Sequence, residues 1–172
     1  MVHIHLKQSV SLIQRGPYYY QTIRMKKILA VASGGGHWNQ LMQITPAFEG
    51  CNVSYATTIE GLAQQFGISK AYLITDANRD EKLKLILSVF RALKILLKVR
   101  PHVIISTGAA PGFMFICLGR LFAAKTIWLD SIANGEELSM CGKLSTKVAH
   151  ITLTQWEHLS DGKKIKYQGA VV

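Results

Sequence analysis

Acidic side chains are scarce in this chain. There are 10 Asp and Glu against 20 Lys and Arg, a net charge of +10 at neutral pH. Charge of either sign is sparse, 17% of residues, while 49% are hydrophobic. That excludes intrinsic disorder, which needs low hydrophobicity and high charge. The basic excess favours phosphate-bearing partners: nucleic acid, an anionic membrane, nucleotides or diphospholipids. Cysteine is rare too. Cys51, Cys117 and Cys141 are far apart and form no Cys-x-x-Cys or Cys/His ligand spacing. This excludes a disulfide framework and points to free thiols in a reducing compartment. Long apolar runs are missing. The most apolar stretch, residues 113–129, contains Arg120 and Lys125 and is broken by Gly119, so it does not qualify as a membrane span. The first residues lack the apolar core of a signal peptide. Several motifs are absent as well. No Gly-Lys-Ser/Thr follows a glycine-rich loop, no Gly-x-Gly-x-x-Gly occurs, and no nucleophile elbow is present. Basic residues are scattered with no known motif, giving nucleic-acid binding little support.

What is present is the rhythm of an α/β domain. At 172 residues the chain suits one domain with a real core. Residues 27–33 form a short apolar run ended by glycines, the pattern of a strand buried on both faces of a parallel sheet. A helix is expected over 37–48, with Pro46 as a late disturbance. A second strand is expected at 52–58, a short helix at 60–66 and a third strand at 70–74. After a polar loop at 75–80, residues 81–99 carry the clearest helical periodicity, stopped by Pro101. Leu83, Ile86, Leu87, Phe90, Leu93 and Leu97 make its apolar face. Lys84, Ser88, Arg91, Lys94 and Lys98 mark the other side. Such a helix either packs on its sheet or lies on an anionic membrane. Further strands are expected at 102–106, 125–130, 151–154 and 165–167, with helices at 113–123 and from 142 to about 148. Alternating strands and helices imply right-handed βαβ units and a mostly parallel, doubly wound, Rossmann-like sheet. Residues 1–24 differ in character, and Met25-Lys26-Lys27 resembles a chain start. The expected organisation is an N-terminal extension at 1–24 and one domain at 25–172.

Three loops follow strands and fall on the functional edge of such a sheet. The first is Ser33-Gly34-Gly35-Gly36-His37, where unpaired amides at a helix start and glycines without side chains let an anion approach. His37 at its mouth suits a general base or a hydrogen-bond donor to phosphate; the alternative is a plain tight turn with a capping histidine. The second is Ser106 to Gly112, with Thr107, where Gly108 and Gly112 leave room either for a ligand or for close helix packing. The third begins at Asp130-Ser131 and runs through Asn134, Glu136 and Glu137 to Leu144. Trp156, within Gln155-Trp156-Glu157, is either an interface anchor or a plain core residue.

Taken together, Ser33-Gly34-Gly35-Gly36-His37, Ser106-Thr107-Gly108-Ala109-Ala110-Pro111-Gly112, Asp130-Ser131, Leu138-Ser139-x-x-Gly142-Lys143 and Gln155-Trp156-Glu157 resemble a known family. It is the membrane-anchoring subunit of the two-chain N-acetylglucosaminyltransferase of dolichol-linked oligosaccharide synthesis, with its bacterial PssD/CpsF-type polysaccharide relatives. The resemblance spans about residues 25–172. It implies the N-terminal, Rossmann-like half of a split GT-B glycosyltransferase acting peripherally at the cytoplasmic face of the membrane. It implies that His37 is catalytic. Ser33, Gly34, Gly35, Gly36, Thr107, Gly108, Gly112, Asp130 and Ser131 would bind the lipid-diphosphate acceptor. Gln155, Trp156 and Glu157 would meet a second subunit carrying the donor-binding half, and Lys84, Arg91, Lys94 and Lys98 would meet the membrane surface. No cofactor or metal is implied: the UDP-sugar is the donor substrate, held mainly by the partner, and the transfer is inverting. Two departures stand out. Relatives often have Glu-Ser at Asp130-Ser131 and an arginine near Asn134, and many eukaryotic ones carry an N-terminal membrane helix that residues 1–24 do not provide. Alternatives from other classes are a non-catalytic scaffold that recruits a glycosyltransferase to the membrane, and a stand-alone nucleotide-binding α/β enzyme.

Overall fold

The computed structural model describes residues 25–75 and 82–171. The expectations for residues 1–24 and for the loop at 76–80 lie outside the described residues. Seven strands form one all-parallel sheet: β1 (Lys27–Val31), β2 (Asn52–Thr57), β3 (Ala71–Leu73), β4 (Val103–Ser106), β5 (Lys125–Leu129), β6 (Ile151–Thr154) and β7 (Ile165–Tyr167). Their order is β3-β2-β1-β4-β5-β6-β7. The doubly wound, Rossmann-like α/β fold expected from the sequence is the fold observed. β1 shows why an unbroken apolar run was needed. Ile28 and Ala30 face one side of the sheet, Leu29 and Val31 the other, and all four are buried. A strand covered by helices on both faces has no solvent side, so its side chains are mostly apolar.

Among the described residues five helices cover the sheet: α1 (Gly36–Gln43), α2 (Leu62–Gln65), α3 (Lys82–Val99), α4 (Ala109–Leu121) and α5 (Met140–Val148). α1, a 3-10 turn at Thr45–Phe48 and α2 close one face, where Trp38, Leu41, Ile44 and Phe48 meet Ile28 and Ala30. α3, α4 and α5 close the other, where Ala92, Leu96, Phe115 and Ile116 meet Leu29, Val31 and Trp128.

Three helix boundaries differ from expectation, each for a local reason. α1 stops at Gln43 rather than running to 48, because Pro46 lacks the amide that would continue the ladder and the chain tightens into the 3-10 turn. α4 begins at Ala109 rather than 113. Pro111 sits in its first turn, where no amide bond is lost, and Gly112 lets the helix press against Ser106, on which a Cβ would collide. α5 begins at Met140, capped by Ser139, whose Oγ accepts the Gly142 amide at 2.8 Å.

α3 corrects a larger expectation. It packs on the sheet, but not with the apolar face read from its periodicity. Its buried residues are Ser88, Ala92, Ile95, Leu96 and Val99. Leu85, Ile86, Leu87, Phe90 and Leu97 face outward, Phe90 with 59% and Leu97 with 58% of its surface exposed. Ser88, assigned to the polar side, is buried and donates to the Thr75 carbonyl at 3.4 Å. Small residues at 88 and 92 allow close approach to the sheet, and that approach decided which side went in.

Candidate active site at the switch point

β1 pairs with β2 on one side and β4 on the other, in register Val31↔Ala56 and Val31↔Ser106. The chain winds away from β1 in one direction and from β4 in the other. The loops leaving their carboxyl ends therefore diverge over a crevice, the place where open α/β sheets bind ligands. Those loops are the ones carrying Ser33–His37 and Thr107–Gly112.

His37 is clasped across this crevice. Its Nδ1 lies 3.0 Å from the Thr107 carbonyl oxygen. Thr107 Oγ1 donates back to the His37 carbonyl at 2.7 Å. A carbonyl only accepts, so Nδ1 carries a proton, and in the neutral ring Nε2 is the acceptor. Gly108 makes the clasp possible: a Cβ there would fall on the imidazole ring. Its φ of 147° is also one that L side chains rarely adopt. The room left by Gly108 is thus filled by His37, and that left by Gly112 by Ser106.

The start of α1 supplies donors beside His37. The first intrahelical bond runs from the Asn39 amide to the Gly35 carbonyl at 3.1 Å, so the amides of Gly36, His37 and Trp38 precede the ladder. Gly35 takes a left-handed φ of 68°, and Gly35 and Gly36 are exposed. The Gly34 amide donates to Thr58 Oγ1 at 3.2 Å, which fixes the loop, and Ser33 is half-buried beside it.

Asp130 and Ser131 stand behind the crevice. Asp130 is buried, and its carboxylate accepts from Trp128 Nε1 at 3.0 Å, the Ser139 amide at 2.8 Å and Ser139 Oγ at 2.5 Å. Gly142 leaves space for it, since a Cβ there would come within 2.7 Å of Oδ1. The carboxylate is therefore engaged by its own chain, pinning the start of α5 to the end of β5. Ser131 Oγ accepts from Gln40 Nε2 at 3.2 Å. Gln155 Nε2 donates to Gln40 Oε1 and to the Asp130 carbonyl, each at 2.9 Å, and Gln155 Oε1 accepts the Val171 amide at 2.8 Å. This buried chain ties α1, the β5 loop, β6 and the C-terminal residues into one unit.

Gln155 is consequently an internal hub. Of the Gln155-Trp156-Glu157 group, only Trp156 and Glu157 present side chains to solvent. Trp156 Nε1 donates to the Ile132 carbonyl at 2.8 Å, so the indole is locked with one face outward. Lys84, Arg91, Lys94 and Lys98 all lie exposed on α3, away from this network. Arg91 donates to Thr75 Oγ1 at 2.7 Å, and the Lys98 ammonium sits 5.6 Å from the centre of the Tyr72 ring. Among the described residues no group of three or more His, Cys, Asp or Glu is placed to hold a metal ion.

The site also uses Thr58 and Gln40, which were not singled out, and it gives Ser139, quoted only as part of a motif, a definite role. Gln40 carried a signal. It lies three residues after His37 and shares its helix face, a polar residue among apolar ones. Ser139, a serine ahead of a helix, carried a capping signal. Thr58 carried none.

The family described as "Oligosaccharide biosynthesis protein Alg14 like" matches residues 53–171. The chain belongs to this family. No curated protein matches it at the sequence level. Among solved structures it is similar to MurG of Acinetobacter baumannii, with a TM-score of 0.72 at 15% identity over 86% of this chain and 46% of that one. It is similar also to UDP-N-acetylglucosamine 2-epimerase of Rickettsia bellii, with a TM-score of 0.66 at 14% identity, covering 86% of this chain and 45% of that one. A glycosyltransferase of Rickettsia africae follows at 0.59 and 10% identity, covering 84% and 42%. The chain spans just under half the length of these proteins. At such identity the likeness speaks for the fold alone: the N-terminal half of a GT-B architecture. Because an epimerase shares it, shape does not select the reaction. Family membership does assign the chain to oligosaccharide biosynthesis.

Proposed function

We propose that this Alg14-like chain is the acceptor-side subunit of a split UDP-sugar glycosyltransferase, in which a second chain supplies the donor-binding half. The observation that carries the reading is the clasp between His37 and Thr107 at the switch point. With Nδ1 engaged, the neutral ring has Nε2 as its acceptor, on a residue in the first turn of α1 beside the amides that precede the helical ladder. A histidine so held acts as a general base towards the acceptor hydroxyl. That oxygen attacks the anomeric carbon of the donor, the bond from that carbon to UDP breaks with inversion, and Nε2 takes the proton. The amides of Gly35, Gly36 and His37 would hold the acceptor's diphosphate, with Ser33 and Gly34 shaping the loop. Asp130, Ser131 and Gly112 act as positioning residues behind it, and Trp156 with Glu157 offers the surface for the second chain.

Membrane attachment is part of the same reading. Among the described residues no helix is long and apolar enough to cross a membrane. The outward face of α3 suits an interfacial helix instead. Phe90, Ile86 and Leu97 form an exposed apolar strip, with Arg91, Lys94 and Lys98 along one flank to meet anionic headgroups. This favours peripheral binding at the cytoplasmic face, where lipid-linked acceptors would be presented.

The experiment is reconstitution. The chain alone, the candidate second subunit alone and the two together are assayed for transfer from UDP-sugars to a polyprenyl-diphosphate-linked sugar. Activity is expected only in the pair. Turnover by the chain alone would sink the split-enzyme reading. Full turnover by a pair carrying His37→Ala would retain the subunit and remove its base.

A further inference from the structure

On the opposite rim of the sheet, at the amino ends of β1, β4 and β5, lies a cavity of about 690 Å³. Lys26, Arg100, His102 and Lys125 line its polar side; Leu97, Pro101 and Phe122 line its apolar side. Among the described residues that line it there is no carboxylate. Among the described residues the buried Lys26 ammonium has no hydrogen-bond partner, an arrangement that favours the arrival of a counter-charge. His102 Nδ1 accepts the Lys27 amide at 3.0 Å, so the ring's other nitrogen is the donor.

Neutralisation of helix ends does not account for this much positive charge. The C-termini of α3 and α4 come to this rim, each equivalent to roughly half a negative charge. Three permanent cations exceed that. Arg100 also holds a left-handed φ of 47° just past α3, where glycine is the ordinary residue. The positive field is felt nearby: His150 is held below its ordinary pKa, first by burial, then by Arg120 and Lys125. The apolar wall leads out of the cavity. Leu97 belongs both to the cavity and to the outward strip of α3, and Leu121, 79% exposed, stands at the end of α4 next to Phe122.

We propose that this cavity binds the phosphate of an anionic phospholipid headgroup, with the lipid's acyl chains leaving past Leu97 along α3. The proposal rests on the reading of α3 as a membrane-facing helix. It goes beyond it by assigning a discrete headgroup site to Lys26, Arg100, His102 and Lys125, on the rim away from His37.

The test is flotation of the full chain with phosphatidylcholine vesicles, with and without phosphatidylglycerol, comparing three variants. Arg100→Gln with Lys125→Gln removes two charges from the cavity. Lys163→Gln with Lys164→Gln removes two from the exposed turn before β7. Phe90→Ser breaks the apolar strip. At about 1 kcal/mol per basic residue near an anionic surface, the cavity pair should lose roughly tenfold to thirtyfold of the binding that phosphatidylglycerol adds. The turn pair should lose less than about threefold, and Phe90→Ser should lose binding to both vesicles. Equal losses from the two charge pairs would show diffuse attraction and overturn the site. Circular dichroism checks that each variant is folded. Failure of the wild-type chain to bind any vesicle would remove the membrane reading. The cavity is then probed separately with soluble dihexanoyl phosphatidylglycerol. Shifts of the His102 ring resonances that vanish in the cavity pair sustain the site, and their absence overturns it.

Discussion

α1 and α3 pack on opposite faces of the same sheet and resolve one conflict in opposite ways. α1 buries its large residues, Trp38 and Leu41, together with Gln40, whose amide is hydrogen-bonded to Ser131 and Gln155. α3 buries Ser88, Ala92 and three aliphatic residues and turns Phe90, Leu97 and their neighbours outward. The difference matches what each carries. α1 holds His37 at the crevice, so its register against the sheet must be rigid, and heavy burial provides that. α3 carries nothing at the crevice, and an apolar outer face on a folded domain marks a surface meant to be covered.

Truncation at the two helices gives the widest contrast. Trp38→Ala should destabilise the domain by about 3–5 kcal/mol, measured by denaturant unfolding, because a fully buried indole leaves a cavity against Tyr55 and Phe66. A loss under about 1 kcal/mol would mean that α1 is not the anchored partner. Next comes the clasp. Gly108→Ala places a methyl on the His37 ring, and the reconstituted pair should lose about a hundredfold in kcat or more if His37 is the base. Asp130→Asn should be milder, about 1–3 kcal/mol of stability. The new amide nitrogen must face one of the donors of Ser139 or Trp128. On α3, Phe90→Ser should change stability by no more than about 0.5 kcal/mol while abolishing vesicle binding. A large drop in stability would show that the outer strip is internally packed after all. The smallest effect concerns pH. The pKa of His150 is lowered in the folded chain, so the unfolded chain binds the extra proton first. Stability is therefore complete above about pH 6.5, the unfolded value, and declines as pH falls through and below it. His150→Gln should flatten that decline in thermal melts.

The strands were legible because a doubly covered parallel strand favours apolar residues, and Ile28–Val31 and Val103–Ile105 are unbroken runs of them; β6, with buried Thr152 and Thr154, keeps the pattern only through its β-branched residues. The glycine-rich loop was legible because few backbones need three consecutive glycines before a helix. The family resemblance carried the later loops as well. The carboxylate of Asp130 was less legible: as a residue after a strand it reads as a candidate ligand, while its partners, Ser139 and Trp128, only meet it in three dimensions.

The sequence by itself determined the alternation of strands and helices, the glycine turn at Gly34–Gly36 and the basic, thiol-poor composition. These follow from local rules of backbone conformation and side-chain period. Only the tertiary structure decided that Thr107, 70 residues along the chain, fixes the tautomer of His37. Only packing decided that α3 shows Phe90 to solvent. Periodicity states that a helix has two faces; the shape of the sheet beneath it chooses which one is buried, and small residues at Ser88 and Ala92 fit closer than large ones.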